Sequence, residues 1–528
     1  MLVTPARWLG ALIPSLSRPM QYELLPSTNA TAGPSKIRAY SVRRTCHVIF
    51  VRRRLRTCLI VLSLLVGSAI AAFFYVLSIP LPPLYSRFHE AELKLPQHNT
   101  SLSSPEGKDG KYLWIANHAS KCGWGNAMQE LFLNAYLAYR TDRAFVFDNY
   151  TWSRGESDYS LYNLMPIPSR IPLTAFMRGP IVGGEFPSND VAPRSVTPEY
   201  FYEVCPNRTI IGSYTVNDAL VDPSAETLVQ AWADKMAPHR CVEIEQSPPE
   251  IFDEQYAFFS SHPTPDDAEM HHPQCSVFAD AGRLLDVWPH FSQSPIVQNF
   301  SWSTLVELAF DNNREVFSPA SPFDLPLSAA PLSDGLRRYT SIPGLLVLHI
   351  RRGDFKGHCY DVLANRSLGY TGFNSFPSLP DYWALPEDIS EHDKRALYTR
   401  HCFPDIDMIV QRVEDVRASS AGQGLSHVYV MTNGSPSWVS KLKAALRAKH
   451  DWAHVASSRD LMLNPEQKYV SQAVDMLVAQ RAQMFVGNGR DAQLTEHGCG
   501  ILQFSTLSGM VVMLRMANGA SPDSTRHW

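Results

Sequence analysis

The rhythm of hydrophobic and polar positions changes several times along this chain. A charge-free apolar run from Thr57 to Ile79 follows a basic cluster of Arg43, Arg44, Arg52, Arg53, Arg54 and Arg56. About 23 uninterrupted apolar residues suffice to cross a bilayer. Arginines on the amino side of such a run favour the cytosol. The pattern therefore predicts a cytosolic basic tail over 1–56, one transmembrane helix over 57–79, and a lumenal remainder. The run starts too far from the amino terminus for a signal peptide, and soluble core helices rarely stay apolar on every face for so long. Residues 80–110, rich in Pro, Ser, Gly and charge, read as a stem.

Beyond Lys111 the pattern becomes an alternation of short apolar runs and amphipathic stretches. Lys111-Tyr112-Leu113-Trp114-Ile115 predicts a first strand, Ala127 to Arg140 a helix, and Arg143 to Asp148 a second strand. The proline-rich stretch from Pro166 to Pro331 gives no order of elements. From Gly344 the signals return: a strand over Leu345–Ile350, a helix over Asp405–Ala418, a strand over His427–Thr432 and a helix over Pro436–His450. A second apolar helix then feeds a buried strand within Val474–Gly489. This cadence predicts an α/β fold built on parallel sheet. The chain has 528 residues, 45% of them hydrophobic. The roughly 420 residues beyond the stem suit two domains. A formal net charge of -4 gives no sign of nucleic-acid binding.

The strand Leu345–Ile350 breaks abruptly into Arg351, Arg352, Gly353 and Asp354. Period-two alternation puts His349 and Arg351 on one face and Arg352 on the other, so one arginine can enter a cleft while its neighbour packs or pairs with Asp354. Gly353 permits a tight exit at the carboxyl end of the strand, the edge at which open α/β sheets bind ligands. A diphosphate suits that edge, and a structural salt bridge at a sheet end is the alternative.

The sequence His349-Ile350-Arg351-Arg352-Gly353-Asp354-Phe355, followed by Cys359, resembles the His-x-Arg signature of protein O-fucosyltransferases and related GDP-fucose-dependent enzymes. The resemblance implies a GT-B-like fold, two Rossmann-like domains facing a cleft, with 111–340 on the acceptor side and 341–528 binding the nucleotide sugar. It implies that Arg351 meets the donor phosphates and is the catalytic residue, and that His349, Arg352 and Asp354 bind the donor beside it. Cys122-Gly123-Trp124-Gly125-Asn126 is similar to that family's Gly-Arg-Phe-Gly-Asn turn, which assigns Gly123 and Asn126 to the donor. Trp124 replaces a basic residue of many members. Val474-Asp475 through Phe485-Val486-Gly487-Asn488-Gly489 resembles the third motif, which assigns Asp475 and the hydroxyls of Ser505 and Thr506 to nucleotide or phosphate. Here those hydroxyls come only after Arg490–Gln503, a fourteen-residue segment whose removal would join Gly489 to Phe504.

Cysteine content bears on that segment. Of nine cysteines, Cys46 and Cys58 precede or lie within the apolar run, leaving Cys122, Cys205, Cys241, Cys275, Cys359, Cys402 and Cys499. An odd number is awkward in an oxidising compartment, and removing Arg490–Gln503 removes Cys499. A translated retained intron and a native surface loop both remain open. Cys359 and Cys402 flank a loop beyond the arginine motif and are expected to pair, as are Cys205 and Cys241. Six Asn-x-Ser/Thr frames, at Asn99, Asn149, Asn207, Asn299, Asn365 and Asn433, all follow the apolar run.

Other constellations carry less. Asp405-Ile406-Asp407 has the spacing of a metal-binding Asp-x-Asp, yet it opens a helix, where acids favour the dipole. His271, His272 and Cys275 lack a second pair of ligands. Glu130, a turn beyond Asn126, reads as a solvated helix residue, so no general base is assigned. The expected function is a membrane-anchored Golgi or endoplasmic-reticulum glycosyltransferase, single-pass with its catalytic region lumenal. It would transfer fucose with inversion from GDP-fucose to a protein or glycan hydroxyl, with no metal or other cofactor required. The alternative is a catalytically inactive relative acting as a membrane-bound glycan-binding or scaffold protein.

Deleting Arg490–Gln503 is expected to raise secretion yield, leave no free lumenal thiol and strengthen GDP binding. Thiol titration and calorimetry on the deletion variant check this, and weaker GDP binding would make the segment part of a native cleft.

Overall fold

The computed structural model describes residues 56–57, 59–68 and, from 81 onward, all but 117, 119, 121–122, 163–164, 218, 221–222, 246–283, 319–338, 354, 358, 360–371, 382–388 and 489–505. Two wholly parallel sheets form its frame, and apolar runs supply their strands. The first is four-stranded, made of β1 (Tyr112–Ile115), β2 (Ala144–Val146), β3 (Thr209–Gly212) and β4 (Cys241–Glu245), in the order β2-β1-β4-β3. Helix α1 (Trp124–Arg140) joins β1 to β2, and α2 (Ala225–Met236) joins β3 to β4. Alternation splits β1 between two cores: Leu113 and Ile115 face one, Tyr112 and Trp114 the other, with Tyr200 and Phe201. The Cys205–Cys241 disulfide closes the second core. Strand β2 is shorter than Arg143–Asp148 because only Ala144–Val146 finds a partner in β1.

The second sheet is five-stranded, with β5 (Ile342–His349), β6 (His427–Met431), β7 (His454–Ser457), β8 (Ala482–Gly487) and β9 (Thr525–His527) in the order β7-β6-β5-β8-β9. Around it lie α3 (Ile406–Ala418), α4 (Pro436–Lys449), α5 (Ser471–Gln480) and α6 (Thr506–Ala517). Strand β5 starts earlier than its apolar run suggests, because the Ile342 N–H donates to Arg481 and the pairing shifts register between Ile342 and Leu346. Gly344, at φ 77°, lies inside that irregularity. Leu346, Leu348 and Ile350 pack on α3 and α4 through Ile409, Val413, Leu442 and Leu446. Leu345 and Val347 face the opposite way, into a core shared with α5, α6, α1 and the first sheet. Each fully buried aliphatic side chain contributes about 1.5–3 kcal/mol before chain entropy is counted. Asp405 caps α3 by accepting from the Met408 N–H at 2.8 Å, so the Asp-x-Asp spacing is a helix start.

One buried cation fixes α6. Arg515 is 1% exposed and its guanidinium donates to the carbonyls of Ala479 (3.0 Å), Ala482 (2.6 Å) and Ser524 (2.9 Å), and to the Thr525 hydroxyl (2.9 Å). It ties the end of α5, the start of β8 and the approach to β9 to one helix. Burial lowers its pKa to about 9, which leaves it charged at neutral pH.

Among the described residues no helix is long and apolar enough to cross a membrane. Within the apolar run, residues 57 and 59–68 are helical, and 58 and 69–79 lie outside the described residues. Pro82–Trp528 form one unit and Met1–Leu81 another.

Arg515→Met is expected to lower the thermal unfolding midpoint by many degrees, because it strands at least three buried carbonyls at about 1–3 kcal/mol each. Arg515→Lys should recover little of the loss, since an ammonium cannot span the fork. Unfolding of the methionine variant within a few degrees of the parent would refute this role.

Candidate functional site at the carboxyl ends of β5 and β8

In the order β7-β6-β5-β8-β9, successive strands run outward from β5 on one side before the chain crosses to β8 on the other. The topological switch point therefore lies between the carboxyl ends of β5 and β8, where crevices open in such sheets. Those ends are His349-Ile350-Arg351 and Gly487-Asn488. Asn488, 2% exposed, bridges them: its Oδ1 accepts from the Arg351 N–H at 3.3 Å, and its Nδ2 donates to the Cys402 carbonyl at 2.9 Å. Cys402 is disulfide-bonded to Cys359, so the expected pairing braces the strand end.

The two arginines have different fates. The Arg352 guanidinium is buried between Phe403 (4.3 Å) and Trp438 (4.4 Å) and donates to the Pro404 carbonyl. Asn433 holds its backbone from both sides, accepting from the N–H at 2.6 Å and donating to the carbonyl at 2.9 Å. This sequon asparagine thus already spends its amide on the motif. Arg352, expected to bind the donor, thus has its guanidinium engaged by packing instead, because it leaves the strand on the face that Phe403 and Trp438 cover. Arg351 is half-buried, with its guanidinium 5.1 Å from the centre of the Phe355 ring. Gly353 follows at φ 71°, in the left-handed region that glycine enters without strain.

His349 links this strand end to α6. Its Nδ1 lies 2.7 Å from the Ser508 hydroxyl, and its carbonyl accepts from the Trp528 indole at 2.9 Å. Burial, assisted by the neighbouring Arg351 charge, lowers the imidazole to about 3, so it is neutral at physiological pH. Gly487 makes room for this contact, since a Cβ there would stand 2.8 Å from the Ser508 hydroxyl.

The amino end of α6 also meets the amino end of α1. A Cβ on Gly125 would lie 2.2 Å from the Leu507 nitrogen, so only glycine fits, and the Gln129 amide donates to the Thr506 carbonyl at 2.7 Å. Gly123 differs: a Cβ there would meet nothing within 4 Å. Asn126 is half-buried and its side chain makes no hydrogen bond with a described residue. Neither α1 nor α6 carries an acid in its first turn, whereas α2 has Glu226 and α3 has Asp407. The site therefore gathers Gly123, Asn126, His349, Arg351 and Thr506 around two helix starts with no acid in their first turns, where N–H groups and dipoles favour an anion.

The other expected residues lie differently. Asp475 is held by the Tyr429 hydroxyl (2.6 Å) and the Ser458 hydroxyl (2.9 Å) against β6, and neither bond reaches the Arg351 strand end. Burial raises its carboxyl to about 6 against those two donors. Asp354, Ser505, Cys122, Arg490–Gln503, His271, His272 and Cys275 lie outside the described residues. Glu130 is not solvated: it is 7% exposed and accepts from Asn134 at 3.4 Å, because the face of α1 that carries it turns inward. Trp124 is 3% exposed and packs on Tyr150 and Phe176. Among the described residues no cluster of three or more His, Cys, Asp or Glu is placed to hold a metal. Sequence reasoning missed Asn433, Asn488 and Ser508 as organisers, although an asparagine directly after a strand was a readable signal for the first two.

No protein-family model and no curated relative matches the chain. Among solved structures it is similar to POFUT1 in complex with GDP-fucose, with 13% identity and a TM-score of 0.41 over 79% of this chain and 97% of that one. It is similar to POFUT1 in complex with GDP at 15% identity and a TM-score of 0.39, over 79% and 98%. The NodZ α-1,6-fucosyltransferase soaked with GDP-fucose gives 11% and 0.30, over 72% and 88%.

The Asp475 carboxyl generates a pH test. An unfolded aspartate titrates near 3.9, and the folded one near 6. Between those values the folded chain keeps a proton that the unfolded chain has released, so the site's contribution to stability falls as pH rises from about 4 to about 6. Asp475→Asn removes the titration. Relative to the parent, the variant should gain up to about 3 kcal/mol on going from pH ~4 to pH ~7. A difference that stays flat across that range in thermal unfolding would mean Asp475 is ionised throughout.

Proposed function

We propose that this chain is a glycosyltransferase that transfers fucose from GDP-fucose, with inversion, to a hydroxyl of a protein or glycan. The observation that carries this reading is the convergence of three distant segments, 123–126, 349–351 and 506–508, on one strand edge. These are the segments whose sequences resemble the three motifs of GDP-fucose-dependent enzymes. On this reading the two sheets form the two halves of a GT-B arrangement, divided near residue 340, with the donor against the second sheet.

Breaking the glycosidic bond builds negative charge on the β-phosphate, and preorganised donors stabilise that charge without reorganisation. Arg351 supplies the cation at the switch point. The starts of α1 and α6 supply backbone N–H groups, and the neutral His349 adds no charge of its own to the cluster. Arg352 and Asn433 hold the strand exit in place. A hydrogen bond to a charged group contributes roughly 1.5–3 kcal/mol, and one that tightens only in the transition state raises turnover. With arginine neutralising the leaving group, the mechanism requires no metal.

The reading places the enzyme in the lumen of the Golgi or endoplasmic reticulum, anchored by 57–79. The disulfides Cys205–Cys241 and Cys359–Cys402 support an oxidising compartment. Trp124 favours the second reading, an inactive glycan-binding relative, because it removes a basic donor contact and sits in the core.

GDP and GDP-fucose are expected to raise the unfolding temperature of the purified chain through preferential binding to the folded state. Arg351→Lys should keep the fold and lose about a hundredfold or more of turnover, since lysine cannot reproduce the forked donor geometry. Absence of GDP binding by calorimetry sinks the donor assignment, and near-normal turnover of the lysine variant makes Arg351 a structural residue. GDP binding without any transfer or donor hydrolysis selects the inactive relative.

A further inference from the structure

The segment that composition marks as a stem belongs, from Pro82 onward, to the unit Pro82–Trp528. Pro82 and Tyr85 are buried, and the Tyr85 hydroxyl donates to the Glu466 carbonyl. Tyr85 sits at φ 57°, a left-handed conformation that a non-glycine residue keeps only where tertiary contacts over-determine it. After it comes the helix Ser86–Glu92, whose buried Glu92 carboxylate accepts from the Thr174 N–H at 3.0 Å and the Thr174 hydroxyl at 2.8 Å. Gln97, also buried, donates to the carbonyls of Gly183 (3.1 Å) and Ser195 (2.6 Å). These bonds fasten 82–97 to three separate parts of the unit, so the segment does not act as a spacer.

The covalent chain then sets a distance. Three peptide steps separate Ile79, the last residue of the apolar run, from Pro82, and they span at most about 11 Å. A helix over 57–79 would be about 35 Å long, against a hydrocarbon core of about 30 Å with roughly 5–7 Å of headgroups on each side. Fully extended, the link therefore lifts Pro82 no more than about 10 Å clear of the headgroups, one helix diameter. The surface beside Pro82 suits that contact. Leu81 and Leu84 are 66% and 43% exposed, and Leu93, at the far end of the helix, is exposed as well. Apolar side chains at both ends lay the outer side of the helix along one plane. Helical spacing puts Arg87, Glu90 and Lys94 on that side, all exposed. Arg87 pairs with Glu466 at 2.6 Å yet keeps most of its side chain in solvent. Long cationic side chains beside leucines match a phosphate layer over apolar chains. The outer side of a seven-residue helix, about 10 Å by 10 Å, offers far less than the roughly 800 Å² per partner of a stable dimer, which disfavours a second copy.

We propose that the unit Pro82–Trp528 rests directly on the bilayer, held by the short link from the anchor and seated through Leu81, Leu84 and the outer side of the helix Ser86–Glu92. Leu81, Leu84 and Leu93 enter the headgroup layer, and Arg87 and Lys94 reach lipid phosphates. The inference rests on the proposed anchor over 57–79 and not on the transferase chemistry.

The test places the full chain in phosphatidylcholine nanodiscs that include a phosphatidylcholine carrying a diazirine beside the glycerol, and maps lipid-modified peptides by mass spectrometry after irradiation. Peptides from 57–79 report the anchor, and peptides covering 81–94 report the seat. Lipid should be found on both and not on Ile210, an exposed apolar side chain on the edge strand β3. An insert of about twenty Gly and Ser residues between Ile79 and Pro80 adds roughly 25 Å of reach. It should lower labelling of 81–94 several-fold while 57–79 keeps its own. Label on 57–79 without label on 81–94 overturns the seat and leaves the anchor standing, whereas label on neither removes the anchor and the seat with it. Equal label on Ile210 overturns the seat in favour of a unit that tumbles on its link. Copy-to-copy cross-links at 81–94 in place of lipid overturn it in favour of a dimer, and labelling that the insert leaves unchanged overturns the link as its cause.

Discussion

The placement of α6 is the constraint from which the candidate site follows, and Arg515 sets it. A guanidinium with five donors in a rigid fork satisfies carbonyls from α5, β8 and the approach to β9 at once, so the helix cannot slide along its axis without stranding them. Once the far end is fixed, the near end has one place to go. Ser508 meets His349, and Thr506 and Leu507 press on Gly125. The glycine is the complementary half of the constraint, because any Cβ at 125 would push the two helix starts apart. A cage in the core therefore decides the geometry of a surface some two helical turns away.

Adjacent arginines divide their labour through packing. Arg352 loses most of its hydration and is repaid by two aromatic faces and a carbonyl, each aromatic contact contributing up to about 2 kcal/mol when desolvated. That arrangement uses up its side chain and makes the strand exit rigid. Arg351 leaves the strand on the other face, where Asn488 holds its backbone and its side chain keeps solvent access. Rigidity at 352 is thus what allows precision at 351, since a strand end held through the main chain by Asn433 and Asn488 cannot fray toward the crevice.

The sequence made the strands of the second sheet legible because burial on both faces writes them as continuous apolar runs, as in Leu345–Ile350. The helices over Asp405–Ala418 and Pro436–His450 were legible as well, the first through the acids at its start. Helix α1 begins at Trp124, three residues before its apolar periodicity, because Gly125 is required by a neighbour nearly 400 residues away in sequence. No local pattern encodes that. The stretch from Pro166 to Pro331 hid β3, α2 and β4, whose short strands are specified by partners rather than by length. Glu130 was read as solvated because a carboxylate on a helix usually is, and the packing that shelters it is a tertiary product. His349, Arg351 and the glycine turn were legible as chemistry, whereas the anchors Asn433, Asn488 and Ser508 needed the fold to reveal their partners.

Two helix starts, both without an acid in the first turn, converge beside an arginine. Each start carries roughly half a positive charge, so bringing them together costs free energy in the empty protein. Helices α2 and α3 offset the same charge with Glu226 and Asp407, whereas α4 and α5, like α1 and α6, have no acid in the first turn. The acid-free first turns of α1 and α6 leave N–H groups and dipoles whose positive potential an anion would neutralise. A diphosphate bridging both starts and Arg351 would relieve the repulsion at three points together.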